Sequence, residues 1–161
     1  MPDDTLQHTY LESIADYTAA LDTVCALAKR NLYLFEKDYD NLGFNSELRY
    51  ETLRRFLLGN PANRLLVLAH DTYYLSTRYP RVNMLLRQFD DRLFIHQTRN
   101  LHCTAPFCVA DNTHYVRRYH FDDPRGLLAI NDPKYARPLT SSYLEMWADS
   151  HTGVSTGKLG L

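Results

Sequence analysis

At 161 residues, 45 % hydrophobic and 23 % charged, the chain has the size and make-up of one globular domain, not of a disordered or fibrous polymer. A formal net charge of −1 excludes the strong overall field that draws a protein to nucleic acid or anionic membrane. No apolar run approaches the roughly 20 residues of a membrane-spanning helix, which argues against a membrane partner.

The opening MPDDTLQHTY lacks the apolar stretch of a secretory signal, and three cysteines (Cys25, Cys103, Cys108) are no disulfide framework. A cytoplasmic protein is expected. Of 18 basic residues only Lys29, Lys37, Lys134 and Lys158 are lysines. The rest are arginines, the side chain suited to bidentate contact with carboxylate or phosphate.

Residues 1–14 are polar and read as a loose N-terminal segment. From Asp16, a candidate helix cap, Tyr17, Ala20, Leu21, Val24, Cys25 and Ala28 recur at helical spacing as far as Lys29-Arg30. Asn31 to Phe35 then reads as a buried strand. Ser46 opens a second helix carrying Leu48, Leu53, Phe56 and Leu57 to Gly59. Leu65-Leu66-Val67-Leu68-Ala69 is apolar throughout, the mark of a strand covered on both faces. Asp71 and Pro80 punctuate two further helical pieces, and Leu93-Phe94-Ile95 is a third strand. Strands alternating with helices imply right-handed crossovers and a largely parallel sheet.

After residue 100 the pattern changes. Phe107 to Ala110 and His114 to Val116 flank Asp111-Asn112, a hairpin, and Leu127 to Ile130 is a further strand. Asp132-Pro133 starts a last helix whose inward stripe is Tyr135, Leu139, Tyr143, Met146 and Trp147. Residues 151–161 read as a flexible tail, leaving 15–150 as a single α/β domain with a mixed, mostly parallel sheet flanked by helices.

Glycines are too scattered for a phosphate-cradling loop or dinucleotide fingerprint, so no cofactor is expected. The loops after the parallel strands, where an open α/β sheet binds its ligand, carry Glu36, Lys37 and Asp38, then His70 and Asp71, then Arg99 and Asn100. These suit an acid, a base and an anion clamp, although Asp71 equally suits a helix cap. His102, Cys103, Cys108, His114 and His120 raise the question of zinc. Their Cys-x4-Cys and His-x5-His spacing is looser than a zinc knuckle, and no metal site is expected.

The order of strand, Asp turn, strand, short strand and a helix ending near Trp147 resembles the second part of a single phospholipase D-like half-domain. That superfamily carries His-x-Lys-x4-Asp, a Gly-Ser-x-Asn after the next strand, and an aromatic near a Trp in a final helix. Aligning Phe107-Cys108-Val109-Ala110-Asp111 places Asp111 on the motif's Asp, Thr104 on its His and Pro106 on its Lys. Arg117-Arg118-Tyr119-His120 stands in place of the Gly-Ser-x-Asn. The chain is also similar to small uncharacterised bacterial proteins that look like degenerate members of that superfamily.

That chemistry needs an imidazole to attack phosphorus and a cation on the non-bridging oxygens. Threonine without a base is a poor nucleophile, and proline has neither charge nor donor. The resemblance therefore implies a non-catalytic, homodimeric module that binds or regulates, with Asp71, Arg99, His102, Arg117, Arg118 and His120 as candidates for holding a phosphorylated or acidic ligand or a protein partner. Of the adjacent Arg117 and Arg118, at most one enters the cleft if both lie on a strand. An ion pair with Asp122 or Asp123 is the plainer role for them. Two alternatives remain: a divergent phosphodiesterase or metal-dependent hydrolase using His102, His114 or His120, and a nucleic-acid binder, which the near-neutral charge does not favour.

Overall fold

The computed structural model describes residues 5–155. Its elements run β1 (Gln7–Leu11), α1 (Ile14–Leu27), β2 (Asn31–Glu36), α2 (Glu47–Leu58), β3 (Arg64–Ala69), α3 (Tyr73–Thr77), α4 (Pro80–Gln88) and β4 (Leu93–Thr98). There follow β5 (Phe107–Ala110), β6 (His114–His120), β7 (Asp123–Ile130), α5 (Pro133–Ala148) and β8 (Ser150–Val154). The eight strands form one sheet in the order β1-β7-β6-β5-β2-β3-β4-β8.

The alternation of strands and helices up to β4 makes two parallel pairings, β2 with β3 and β3 with β4. Every other pairing is antiparallel. The sheet is thus mixed but mostly antiparallel, which corrects the expected parallel majority. Hairpin-linked strands need no crossover helix, so the second half adds antiparallel neighbours.

Both chain ends extend the sheet. Residues 7–11, expected to be loose, pair with β7 as an edge strand, and residues 1–4 of that segment lie outside the described residues. Ser150–Val154, most of it assigned to a flexible tail, pairs with β4 across a bulge, and the rest of that tail beyond 155 likewise lies outside. Gly153 suits this approach: a Cβ there would stand 3.3 Å from the Gln97 nitrogen of β4 and 2.7 Å from Thr72 Cγ2.

Side-chain alternation divides the core into two layers. Leu32 and Leu34 of β2, Leu65 and Val67 of β3, and Ile95 of β4 pack with α1, α2 and α4. Phe35, Leu68, Phe107 and Val109 pack instead with Ala136, Tyr143 and Met146 of α5. Leu65 to Ala69 lies in β3, an interior strand paired on both sides with β2 and β4, in keeping with its unbroken apolar run.

Local details refine the sequence reading. Ser13, not Asp16, caps α1, its Oγ accepting the Asp16 amide at 3.1 Å. Ser46 caps α2 as expected, accepting from the Arg49 amide at 3.1 Å. Leu48 and Tyr135, both read as inward, are exposed, and Ala136 faces the sheet beside Tyr143 and Met146. Asp132 is the N-cap residue of α5, as expected, but it caps through its backbone, its carbonyl accepting the Ala136 amide at 3.0 Å. Its carboxylate makes no cap hydrogen bond and meets His8 Nε2 at 3.0 Å and the Tyr115 hydroxyl at 3.2 Å. Among the described residues no helix is long and apolar enough to cross a membrane.

Candidate functional site at the carboxyl edge of the parallel strands

One edge of the sheet gathers the end of β2 (Glu36), the residue after β3 (His70), the segment Thr104 to Pro106 entering β5, and the end of β6 (Arg118). The Pro106 carbonyl accepts from the Arg118 amide at 3.0 Å, and the Thr104 carbonyl from the Phe121 amide at 2.9 Å. Thr104 and Pro106, which the sequence resemblance sets against a His and a Lys, therefore lie directly beside Arg118 of β6 and Phe121 in the turn after it.

Arg118 is the chemical centre of this edge. Its Nη2 donates to Glu36 Oε1 at 2.8 Å, its Nη1 to the Phe121 carbonyl at 2.9 Å, and its guanidinium lies 4.8 Å from the Tyr17 ring centroid. The Tyr17 hydroxyl donates to the other carboxylate oxygen, Glu36 Oε2, at 2.5 Å. Burial raises the Glu36 pKa to about 7, against the pull of Arg118 and the Tyr17 hydrogen bond. Burial and the Glu36 carboxylate together push the Tyr17 phenol well above its ordinary range.

Beside this triad, His70 Nε2 lies 2.7 Å from the Cys103 carbonyl, which can only accept, so Nε2 carries the proton. His70 Nδ1 is buried without a hydrogen-bond partner. The Phe121 ring packs against His70, centroids 5.3 Å apart, and against Phe35 at 5.7 Å. An aromatic ring thus covers the ground next to Thr104. A cavity of about 470 Å³ adjoins the triad, lined by Glu36 and Arg118 together with Lys37, Asp38, Asp40 and Asp122. Its carboxylates outnumber its cations, so the chain's own groups already neutralise Arg118.

The other candidates scatter. Arg117, adjacent to Arg118 on β6, points the opposite way and is exposed over the Tyr119 ring at 5.7 Å. Arg99 is exposed, its Nε 3.4 Å from His151 Nδ1 on β8. His102 is exposed in the loop before β5, and His120 Nδ1 accepts the Asp122 amide at 3.0 Å. Asp71 takes the Tyr73 amide at 2.8 Å as α3 begins. The expected partner of the arginine pair is corrected as well: Asp123 binds Arg125, and Arg118 is held by Glu36.

Asp111 stands at the far edge of the sheet. With φ at 56° it turns the hairpin, and its carboxylate accepts the amides of Lys29, Arg30 and Asn31 at 2.8, 2.9 and 2.8 Å. His114 is at that edge too, accepting the Asn131 amide at 3.1 Å. His114 and His120 begin and end β6, so His102, His114 and His120 share no centre. Among the described residues no group of three His, Cys, Asp or Glu side chains could hold a metal ion.

Glu36 and His70 belong to the strand-end loops that sequence singles out, yet Glu36 as the partner of Arg118 was missed. The available signal was its place after Phe35, a carboxylate closing an apolar strand. Tyr17 carried none, since it reads as one more apolar position of α1.

Solved structures share this architecture. TrmBL2, an archaeal chromatin protein with a novel mode of DNA binding, is 10 % identical at a TM-score of 0.69, covering 91 % of this chain but 54 % of TrmBL2. The chain thus spans about half the length of that protein. Nuc from Salmonella typhimurium, a phospholipase D family member, is 11 % identical at a TM-score of 0.61, covering 94 % of this chain and 99 % of Nuc. NucT from Helicobacter pylori is 8 % identical at 0.63, covering 92 % and 100 %. The fold is phospholipase D-like. No protein with a curated description matches the sequence. Residues 13–156 match the model of the domain of unknown function DUF7931, and the chain belongs to that family.

Proposed function

We propose that this chain is a phospholipase D-like domain that binds and does not cleave, acting as a recognition or regulatory module. The observation that carries the reading is the edge where Thr104 and Pro106 stand for the nucleophile and the cation. There the buried guanidinium of Arg118 is committed to Glu36, and Phe121 packs over His70. Attack on phosphorus needs a positioned nucleophile and an uncommitted cation; with Thr104 and Pro106 at the aligned positions and Arg118 tied to Glu36, the arrangement favours a site that binds without cleaving. The ligand we infer is a phosphorylated or acidic group met at the rim by the exposed Arg99, with His102 on the same loop. Tyr73, Leu101 and Tyr119, exposed around this edge, support its being shared by two copies of the chain.

Purified protein should leave bis(p-nitrophenyl) phosphate intact at neutral pH, with or without zinc. It should elute as a dimer, and its thermal midpoint should rise with inorganic phosphate or nucleotides in a salt-sensitive way that Arg99→Ala abolishes. Turnover removed by His70→Ala or His102→Ala would overturn the non-catalytic reading. A shift with single-stranded oligonucleotides alone would favour nucleic-acid binding, the reading suggested by the shared fold with TrmBL2.

A further inference from the structure

The loop from β2 to α2 holds a backbone conformation that most side chains avoid. Tyr39, Asn41 and Gly43 all have positive φ, at 66°, 58° and 75°. Asparagine and glycine adopt it readily, but for a bulky tyrosine it is costly. Tyr39 is held there by burial, by its hydroxyl donating to the Leu68 carbonyl at 2.9 Å, and by its ring meeting Phe44 at 4.5 Å. Its own carbonyl accepts from the Tyr79 hydroxyl at 2.9 Å, which ties the loop to the segment between α3 and α4. Between these two segments lies a cavity of about 410 Å³. It adjoins the cavity beside Arg118, with which it shares Asp40 and Asn41.

We propose that this cavity binds a neutral polyhydroxylated molecule, a sugar or polyol. Its wall brings one charge of each sign, Asp40 and Arg78, together with the amides of Asn41 and Asn45 and the Tyr74 hydroxyl. The Tyr73 and Tyr74 rings hold Arg78 in place, 5.8 and 5.4 Å from its guanidinium. A simple anion in this space meets the Asp40 carboxylate, and a simple cation meets Arg78. A hydroxyl both donates and accepts, so it satisfies either group. Asp40 takes the hydrogens of neighbouring hydroxyls, Arg78 donates to their oxygens, and Phe44 and Tyr79 offer apolar surface to the C–H face of the ligand. The place suits a ligand, since open α/β sheets bind theirs outside the carboxyl ends of the parallel strands. The backbone cost at Tyr39 is a second sign, because such strain concentrates where a loop is shaped for binding.

The test titrates the isotope-labelled full chain with D-ribose, D-glucose and myo-inositol and follows the backbone amide resonances. The expected result is a saturable shift of amides in residues 40–46 and 74–79 with at least one of these polyols. Asp40→Ala and Arg78→Ala should each weaken that binding by about tenfold, the loss that follows from removing a hydrogen bond to a charged group. Both side chains are exposed, so the variants should keep the thermal midpoint of the wild type. Arg87→Ala, which removes an exposed arginine of α4, should bind as the wild type does. No saturable shift with any of the polyols, shifts centred elsewhere, or undiminished binding in the Asp40 and Arg78 variants would overturn the proposal. So would inorganic phosphate or the zwitterion glycine betaine saturating the same amides more tightly than the polyols.

Discussion

Arg118 and Glu36 join strands that are not neighbours in the sheet. Arg118 ends up on β6 and Glu36 closes β2, with β5 between them, and the guanidinium reaches over β5 to the carboxylate at 2.8 Å. Both side chains are almost sealed from water, at 6 % and 2 % exposure, so the pair has few solvent contacts to fall back on. Attraction between two such groups must offset a large desolvation cost; the Tyr17 hydroxyl and the Phe121 carbonyl add hydrogen bonds to it, while Arg118 Nε stays buried without a partner.

Removing one partner should therefore cost far more than removing both. Arg118→Met leaves a buried carboxylate unpaired and is expected to lower unfolding stability by about 3–5 kcal/mol. The double variant Arg118→Met with Glu36→Leu should recover much of that loss. Urea denaturation of the wild type, both single variants and the double variant measures the coupling. Additive losses would show that the two side chains do not support each other.

The same carboxylate gives stability a specific pH dependence. Its folded pKa of about 7 lies above the ordinary 4.5, so between these values the folded state retains a proton that the unfolded state releases. Unfolding stability then falls as pH rises across that window, by on the order of 3 kcal/mol, and levels off above it. The stabilisation is fully present below pH 4.5, where both states are protonated. Glu36→Gln, which cannot titrate, should flatten the fall between pH 5 and 7 in chemical melts. A slope unchanged in that variant would assign the effect elsewhere.

Two backbone-level positions test the sheet itself. Val67 is buried at the centre of β3, and Val67→Asp places an unpaired charge in the core layer packed against α1, α2 and α4, so soluble, cooperatively melting protein is not expected. At Gly126, a Cβ would meet the Arg117 carbonyl oxygen at 2.0 Å, a backbone atom that cannot swing away. Gly126→Ala must part β6 from β7 and should cost about 1–3 kcal/mol. A Gly126→Ala protein as stable as the wild type in urea would show that the two strands separate freely there.

Much of this was legible in the chain. The apolar runs at Leu32–Phe35, Leu65–Ala69 and Phe107–Ala110 fixed three strands because burial on both faces leaves no room for polar alternation. The opposed faces of Arg117 and Arg118 follow from strand geometry alone, and one enters while the other stays outside. The edge strands β1 and β8 left no such trace. Gln7 to Tyr10 are all exposed, and a polar edge strand is stabilised by its ladder partner, a distant segment that no local pattern announces. For the same reason Glu36 could be placed at a strand end but not matched to Arg118, since that contact depends on which strands become neighbours.

Asp111 has a structural role at the end of the sheet opposite Arg118. Its carboxylate collects the three consecutive amides that open β2, and its own amide donates to the Asn31 carbonyl at 3.0 Å. These bonds lock the β5–β6 hairpin to the start of β2, at the edge of the sheet remote from Arg118. The role is structural and calls for a charged acceptor with two oxygens in a left-handed backbone conformation. Asp111→Asn keeps one acceptor oxygen and tolerates the positive φ, so it should cost about 1–2 kcal/mol. Asp111→Ala orphans all three amides and strains the turn, and should cost roughly 3 kcal/mol or more. Hydrogen exchange at Lys29, Arg30 and Asn31 should accelerate in the alanine variant while the amides near Arg118 keep their protection. Equal loss of protection at both edges would mean that Asp111 acts on the whole sheet and not on its β2 end.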